Sequence, residues 1–149
     1  MTTTIRRRLI EGKIAAGDSF SVTRTFTGED VHLFSGVSND HNPVHSNLEY
    51  AKGKAFDGLI CHGLHVGSLM SEIGGQLAML ASGMNFRFRR PVYFGDTITC
   101  TLSIDEMDER SRVKCSGLFV NQDGETVIEG QLFGILPNKE ERELLKTWN

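Results

Sequence analysis

The stretch from Ile60 to Leu80 restricts the possible folds more than any other part of the chain. Val66, Leu69, Met70, Ile73, Leu77 and Leu80 recur at spacings of three and four, the period of one helix face. Small residues crowd the same stretch: Gly63, Gly67, Ser68, Ser71, Gly74, Gly75 and Ala78. A glycine inside a helix costs roughly 0.5–1 kcal/mol relative to alanine, so this many need a compensating reason. Close approach of other backbone supplies one, and it predicts a central helix wrapped by sheet. The alternative is a helix that stops early, near Gly74.

The rest of the chain supplies the sheet. From Met84 the pattern changes to period two, with Met84, Phe86 and Phe88 alternating with Asn85, Arg87 and Arg89. Pro91 and Gly95-Asp96 interrupt it before Ile98, Cys100, Leu102 and Ile104 alternate again. Val113 to Val120 follows, then the hairpin signal Asn121-Gln122-Asp123-Gly124 and a last strand from Thr126 to Leu136. An earlier strand, Ser19 to Phe26, places Phe20, Val22 and Phe26 on one face. The pattern predicts an α+β fold, an antiparallel sheet of about five strands around one long helix. At 149 residues this is a single domain, 1–149, with its core over about 20–136. The stretch Asn138 to Asn149 predicts a capped terminal helix with Leu144, Leu145 and Trp148 on one side.

Between the early strand and the long helix lies the chemistry. Thr27, with Asp30 after it, caps a short helix from about Gly28 to Gly36. Next comes Ser38-Asn39-Asp40-His41-Asn42-Pro43-Val44-His45. Asn42 precedes a proline and is pushed toward an extended conformation. Asp40 and His45 therefore do not stack along a helix; a bent, stiffened segment turns both toward one point, as a carboxylate and imidazole sharing a water require. Ser46-Asn47-Leu48-Glu49 fits a capping box and predicts a second short helix through about Lys52.

Charge and composition exclude other classes. A net charge of -3 leaves no electrostatic footprint for nucleic acid. No apolar run approaches a membrane span of roughly 18 residues, and no secretory signal opens the chain. Cys61, Cys100 and Cys115 have no metal-type spacing, which predicts reduced thiols and a cytoplasmic location. Arg6, Arg7 and Arg8, with no acid before Leu9, read as a mobile basic terminus or the start of a transit peptide.

Phe34 through His45, with Ala51 after it, resembles the signature of the MaoC-like, (R)-specific enoyl-CoA hydratases. Phe56 through His62-Gly63, Phe88-Arg89-Arg90-Pro91-Val92 and Gly95-Asp96-Thr97 extend the resemblance, which runs from about Phe20 to Leu136. It implies the hot-dog fold, usually paired into a homodimer, and water addition to a trans-2-enoyl thioester giving the (3R)-3-hydroxyacyl product, or the reverse. The substrate would be an acyl-CoA or an acyl carrier protein thioester, and no cofactor is needed. Asp40 and His45 would hold one catalytic water, and Gly63 would offer its N–H to the thioester carbonyl. Ser71 matches a supporting serine. Asn39 stands where the family often has glycine, but asparagine tolerates positive φ, so the turn should survive.

The chemistry agrees with that assignment on independent grounds. Hydration needs a base for water, an acid for the α-carbon and a donor for the enolate oxygen. A carboxylate and an imidazole, which ordinarily titrate near about 4 and 6.5, can divide the proton work. Asn42 would brace the loop, and His62 would cap or orient the helix start. Arg87, Arg89 and Arg90 either meet coenzyme A phosphates or guard an exposed strand face. Asp40, His41, His45, His62 and His65 could form a metal cluster, but Pro43 spoils the helical spacing of the first pair, so none is expected. Glu72 on the long helix supports an alternative acyl-CoA thioesterase, and a non-catalytic acyl-thioester-binding subunit is a third reading. Cys61 beside His62 reads as a buried thiol, and His32, His41 and His65 as surface or packing residues.

Overall fold

A computed structural model describes residues 3–147. Five strands form one antiparallel sheet: β1 (Ser19–Thr25), β2 (Leu80–Phe88), β3 (Thr97–Met107), β4 (Arg112–Val120) and β5 (Thr126–Ile135), in the spatial order β1-β3-β4-β5-β2. The period-two residues Ile98, Cys100, Leu102 and Ile104 all lie on the buried face of β3. Asn121 closes the β4–β5 turn, accepting at its carbonyl from the N–H of Gly124 at 3.0 Å. The helices are α1 (Thr4–Ile10), α2 (Gly28–Ser38), α3 (Leu48–Gly53), α4 (Gly63–Gln76) and α5 (Lys139–Leu145), with a 3-10 turn at Pro43–His45.

Helix α4 lies on the inner face of the sheet against β1, β2, β3 and β5, and buries Val66, Leu69, Met70 and Ile73. It is the expected central helix but shorter at both ends. Ile60 instead bridges to Tyr93. Leu77 caps the helix, Ala78 turns the chain at φ 48°, and Leu80 opens β2 at 75% exposure, off the core face. The glycines also have a different reason from the one expected. A Cβ on Gly63 would lie 2.6 Å from the Phe88 ring, and one on Gly67 would lie 3.0 Å from Phe86. Aromatic side chains of β2, not backbone, press on the helix. The sheet reciprocates, because Gly117 and Gly130 leave room for the Met70 sulfur.

Three local expectations are corrected. The second short helix is capped by Asn47, whose side chain accepts from Tyr50 N–H, because Ser46 already closes the preceding turn by donating to Pro43 O. The basic N-terminal stretch is not a mobile tail but helix α1, with Leu9 buried. Arg6 donates to the carbonyls of Gly75 and Gln76, both at 2.7 Å, satisfying the C-terminal end of α4. In α5, Leu145 packs against the core while Leu144 points outward; Trp148 lies outside the described residues.

Candidate active site

Helix α2 delivers the reactive loop. Thr27 and Asp30 form its capping box, and Asn39 ends it in the left-handed region at φ 57°, ψ 22°, donating to Ser35 O at 2.9 Å. Asparagine thus fills the expected positive-φ position. Two interlocked side-chain turns follow: Asn42 N–H donates to Asp40 Oδ1 at 3.1 Å, and Val44 N–H donates to Asn42 Oδ1 at 3.2 Å. Pro43 then opens the 3-10 turn. One carboxylate oxygen of Asp40 is occupied by the loop, while Oδ2 faces His45 Nε2 at 3.9 Å. A single water can span that gap with bonds of about 2.8 Å to each.

His45 is 9% exposed, whereas the Asp40 side chain is 50% exposed. His45 Nδ1 lies 2.7 Å from the Ile60 carbonyl. A carbonyl can only accept, so Nδ1 carries the hydrogen and Nε2 presents a lone pair toward Asp40. Burial lowers the His45 pKa below its ordinary value; Ile60 and Asp40 oppose this, and His62 adds to it. Burial thus favours the neutral ring, which accepts at Nε2.

His62 is 1% exposed and precedes α4 without capping it through its side chain. Its ring stacks on His45, with centroids 3.7 Å apart and planes at 28°. Gly63 follows as the first helical residue, among the N–H groups that find no partner within a helix and at its positive end. The sequence-predicted Asp40, Asn42, His45 and His62 therefore converge, and Gly63 follows His62 in the chain. A cavity of about 420 Å³ opens beside them, lined by Val31, Ser35, His41, Asn42, His45 and Phe94 among others.

Other candidates do not join them. Ser71 and Glu72 lie on the exposed face of α4. Arg89 pairs with Glu129 and Arg90 with Glu125. Arg87 lines a surface hollow with Ser116, Leu118 and Gln131, on the opposite strand face from Phe86 and Phe88. His65 packs between Phe34 and Phe26. Cys61 is buried and its thiol pushed up to about 12, mainly by burial, the reverse of an activated nucleophile. Asp40, His45 and His62 do bring ligand atoms within 4.8 Å of one another. Of their ring nitrogens, His45 Nδ1 is already engaged with the Ile60 carbonyl and His62 Nε2 with the Asp40 carbonyl. Sequence reasoning missed Ser35 and the Ile60 carbonyl; the latter is a main-chain group with no residue-type signal.

A five-stranded antiparallel sheet around one central helix is the architecture of a hot-dog protein. The MaoC like domain family matches residues 11–122, and the chain belongs to that family. It is 30% identical over 128 residues to an (R)-specific enoyl-CoA hydratase of Rhodospirillum rubrum, covering 83% of this chain and 89% of that one. It is 32% identical over 131 residues to a mitochondrial 3-hydroxyacyl-[acyl-carrier-protein] dehydratase of Arabidopsis thaliana, covering 84% and 79%. The unliganded R-hydratase PhaJ1 from Pseudomonas aeruginosa superposes with a TM-score of 0.78 at 30% identity, covering 85% of this chain and 84% of that one.

Proposed function

We propose that this chain is a hydro-lyase that adds water to trans-2-enoyl-CoA to give (3R)-3-hydroxyacyl-CoA, or removes it in reverse. The observation that carries this is Asp40 Oδ2 facing the lone pair of His45 Nε2 at 3.9 Å, with the His45 ring stacked on His62, the residue that precedes α4. A water between them gives one hydrogen to each acceptor. As its oxygen bonds to C3, the O–H bond breaks and the proton passes to the dyad. The C2–C3 π electrons move onto the thioester oxygen, where the Gly63 N–H would hold the enolate. The dyad then returns a proton to C2, so one water is added overall. A donor of that kind is typically worth about 2.7–4 kcal/mol at the transition state. Asn42 braces the loop, and His62 orients the helix start.

We extend the reading to a substrate carried on coenzyme A or acyl carrier protein, one domain over 1–149, and a homodimer. For the last, Leu80, Met84 and Phe88 leave apolar side chains exposed along the edge strand β2. Among the described residues, no helix is long and apolar enough to cross a membrane. The three free, buried thiols suit the cytoplasmic location the reading assumes.

Purified protein given crotonyl-CoA should remove the enoyl absorbance without releasing thiol. Thiol release would instead mark a thioesterase, and no change in either signal would leave a binding subunit or an enzyme for another acyl chain length. Asp40→Asn and His45→Gln should each abolish nearly all turnover while leaving the fold intact, as read by circular dichroism. A variant retaining more than about a tenth of the activity, less than roughly 1.4 kcal/mol of effect, would remove that residue from the mechanism.

A further inference from the structure

His62 touches both halves of the dyad. Its Nε2 stands 3.0 Å from the Asp40 carbonyl and 3.3 Å from Ser35 Oγ. Because the carbonyl accepts, Nε2 is the protonated nitrogen; Nδ1 has no partner among the described residues. The face of the same ring lies on His45 at 3.7 Å. Phe34 of α2 also touches it, with centroids 4.9 Å apart and planes at 59°. One buried ring thus joins the main chain of the carboxylate residue to the plane of the imidazole.

The other restraints on Asp40 are local. Its N–H meets Ser38 Oγ at 3.1 Å, and its Oδ1 takes the Asn42 N–H. These bonds shape the loop without fixing it against α4. For His45, the bond to Ile60 fixes one atom of the ring but not its plane. Resting on the hydratase reading above, we propose that His62 is the positioning residue of the dyad: by donating from Nε2 to the Asp40 carbonyl and stacking on His45, it sets the spacing and aim of Asp40 Oδ2 and His45 Nε2. Such control matters because a displacement of about 1 Å can cost about a hundredfold in rate.

Two substitutions separate the contacts. His62→Phe keeps a stacking ring and removes the donor; His62→Gln keeps a donor and removes the ring. In crotonyl-CoA hydration, H62F should lose at least about tenfold in kcat with KM within about twofold. H62Q should regain at least about threefold of that loss. A second readout needs no turnover. The groups facing His45 are Asp40 from the loop, His62 from the head of α4 and the Ile60 carbonyl, and Asp40 favours its charged form. Followed by NMR titration of the His45 ring, D40N should therefore lower its pKa in the wild type. In the H62F background that shift should shrink by about half or more, because the carboxylate is no longer held in place.

In a protein that hydrates enoyl-CoA, an H62F kcat within about twofold of wild type, or an undiminished D40N shift, overturns the positioning role. If the shift collapses in H62F while even the wild type fails to hydrate, positioning stands and the hydratase reading falls. Should H62F not fold, H62Q against wild type is judged on the same two readouts, with both effects expected to be smaller.

Discussion

His45 is held neutral by its surroundings, and this gives the protein an acid-sensitive point. In an unfolded chain an imidazole titrates near about 6.5; in the fold, burial lowers that value for His45 and also for His65. For His65, burial is again the first cause, with the Arg24 charge next. Between the two values the unfolded chain binds more protons than the folded one, so stability rises with pH there. The contribution is complete above about pH 6.5 and is lost as pH falls toward the folded-state values. The urea midpoint should therefore be level near neutrality and decline below about pH 6.5, less steeply in His65→Phe. A midpoint that stays level to about pH 5 would contradict this. At this scale the sequence was informative where the geometry is local: the proline spacing sets Asp40 and His45 on one short, bent loop, while their final 3.9 Å approach depends on what packs against it. His62 was visible only as a neighbour of Gly63, since its stacking on His45 depends on how the loop packs against α4.

Among the elements, α4 and the sheet fit through paired absences of side chain. Met70 is fully buried and projects its sulfur over Gly117 of β4 and Gly130 of β5, while Gly63 and Gly67 receive the rings of Phe88 and Phe86. Periodicity disclosed the helix and its buried face. It could not say which strand would cross each glycine, because that depends on β2 returning to the far edge of the sheet beside β5. Nor could it reveal that α1 caps α4, a contact between residues far apart in the chain. Met70→Ala should cost about 2–5 kcal/mol, read from urea unfolding. Gly117→Ala would set a Cβ 2.9 Å from the Met70 sulfur in the parent protein. In the Met70→Ala background that obstacle is gone, so the double variant should be less destabilised than the sum of the singles. Strict additivity would show that the two residues do not share one space.

For the whole molecule, the α+β class, the strands and the central helix were all legible, because each rests on a repeating pattern. The strand order was not, since alternation says which face is buried but not which strand lies alongside. That order has a consequence in time. β3, β4 and β5 are consecutive in the chain and adjacent in the sheet, joined by tight turns at 108–111 and 121–125. β1 and β2 are the edges, and the reactive loop and α4 lie between them in sequence. The central meander can form from local pairings, whereas each edge must first close a long segment of chain. Native-state hydrogen exchange should accordingly find the amides of β3 to β5 the last to open and those of 39–46 among the first; equal protection of both would refute the ordering. A chain caught midway through folding would already possess most of its sheet and still be chemically inert, because its reactive groups are assembled only when the two borders of the sheet close.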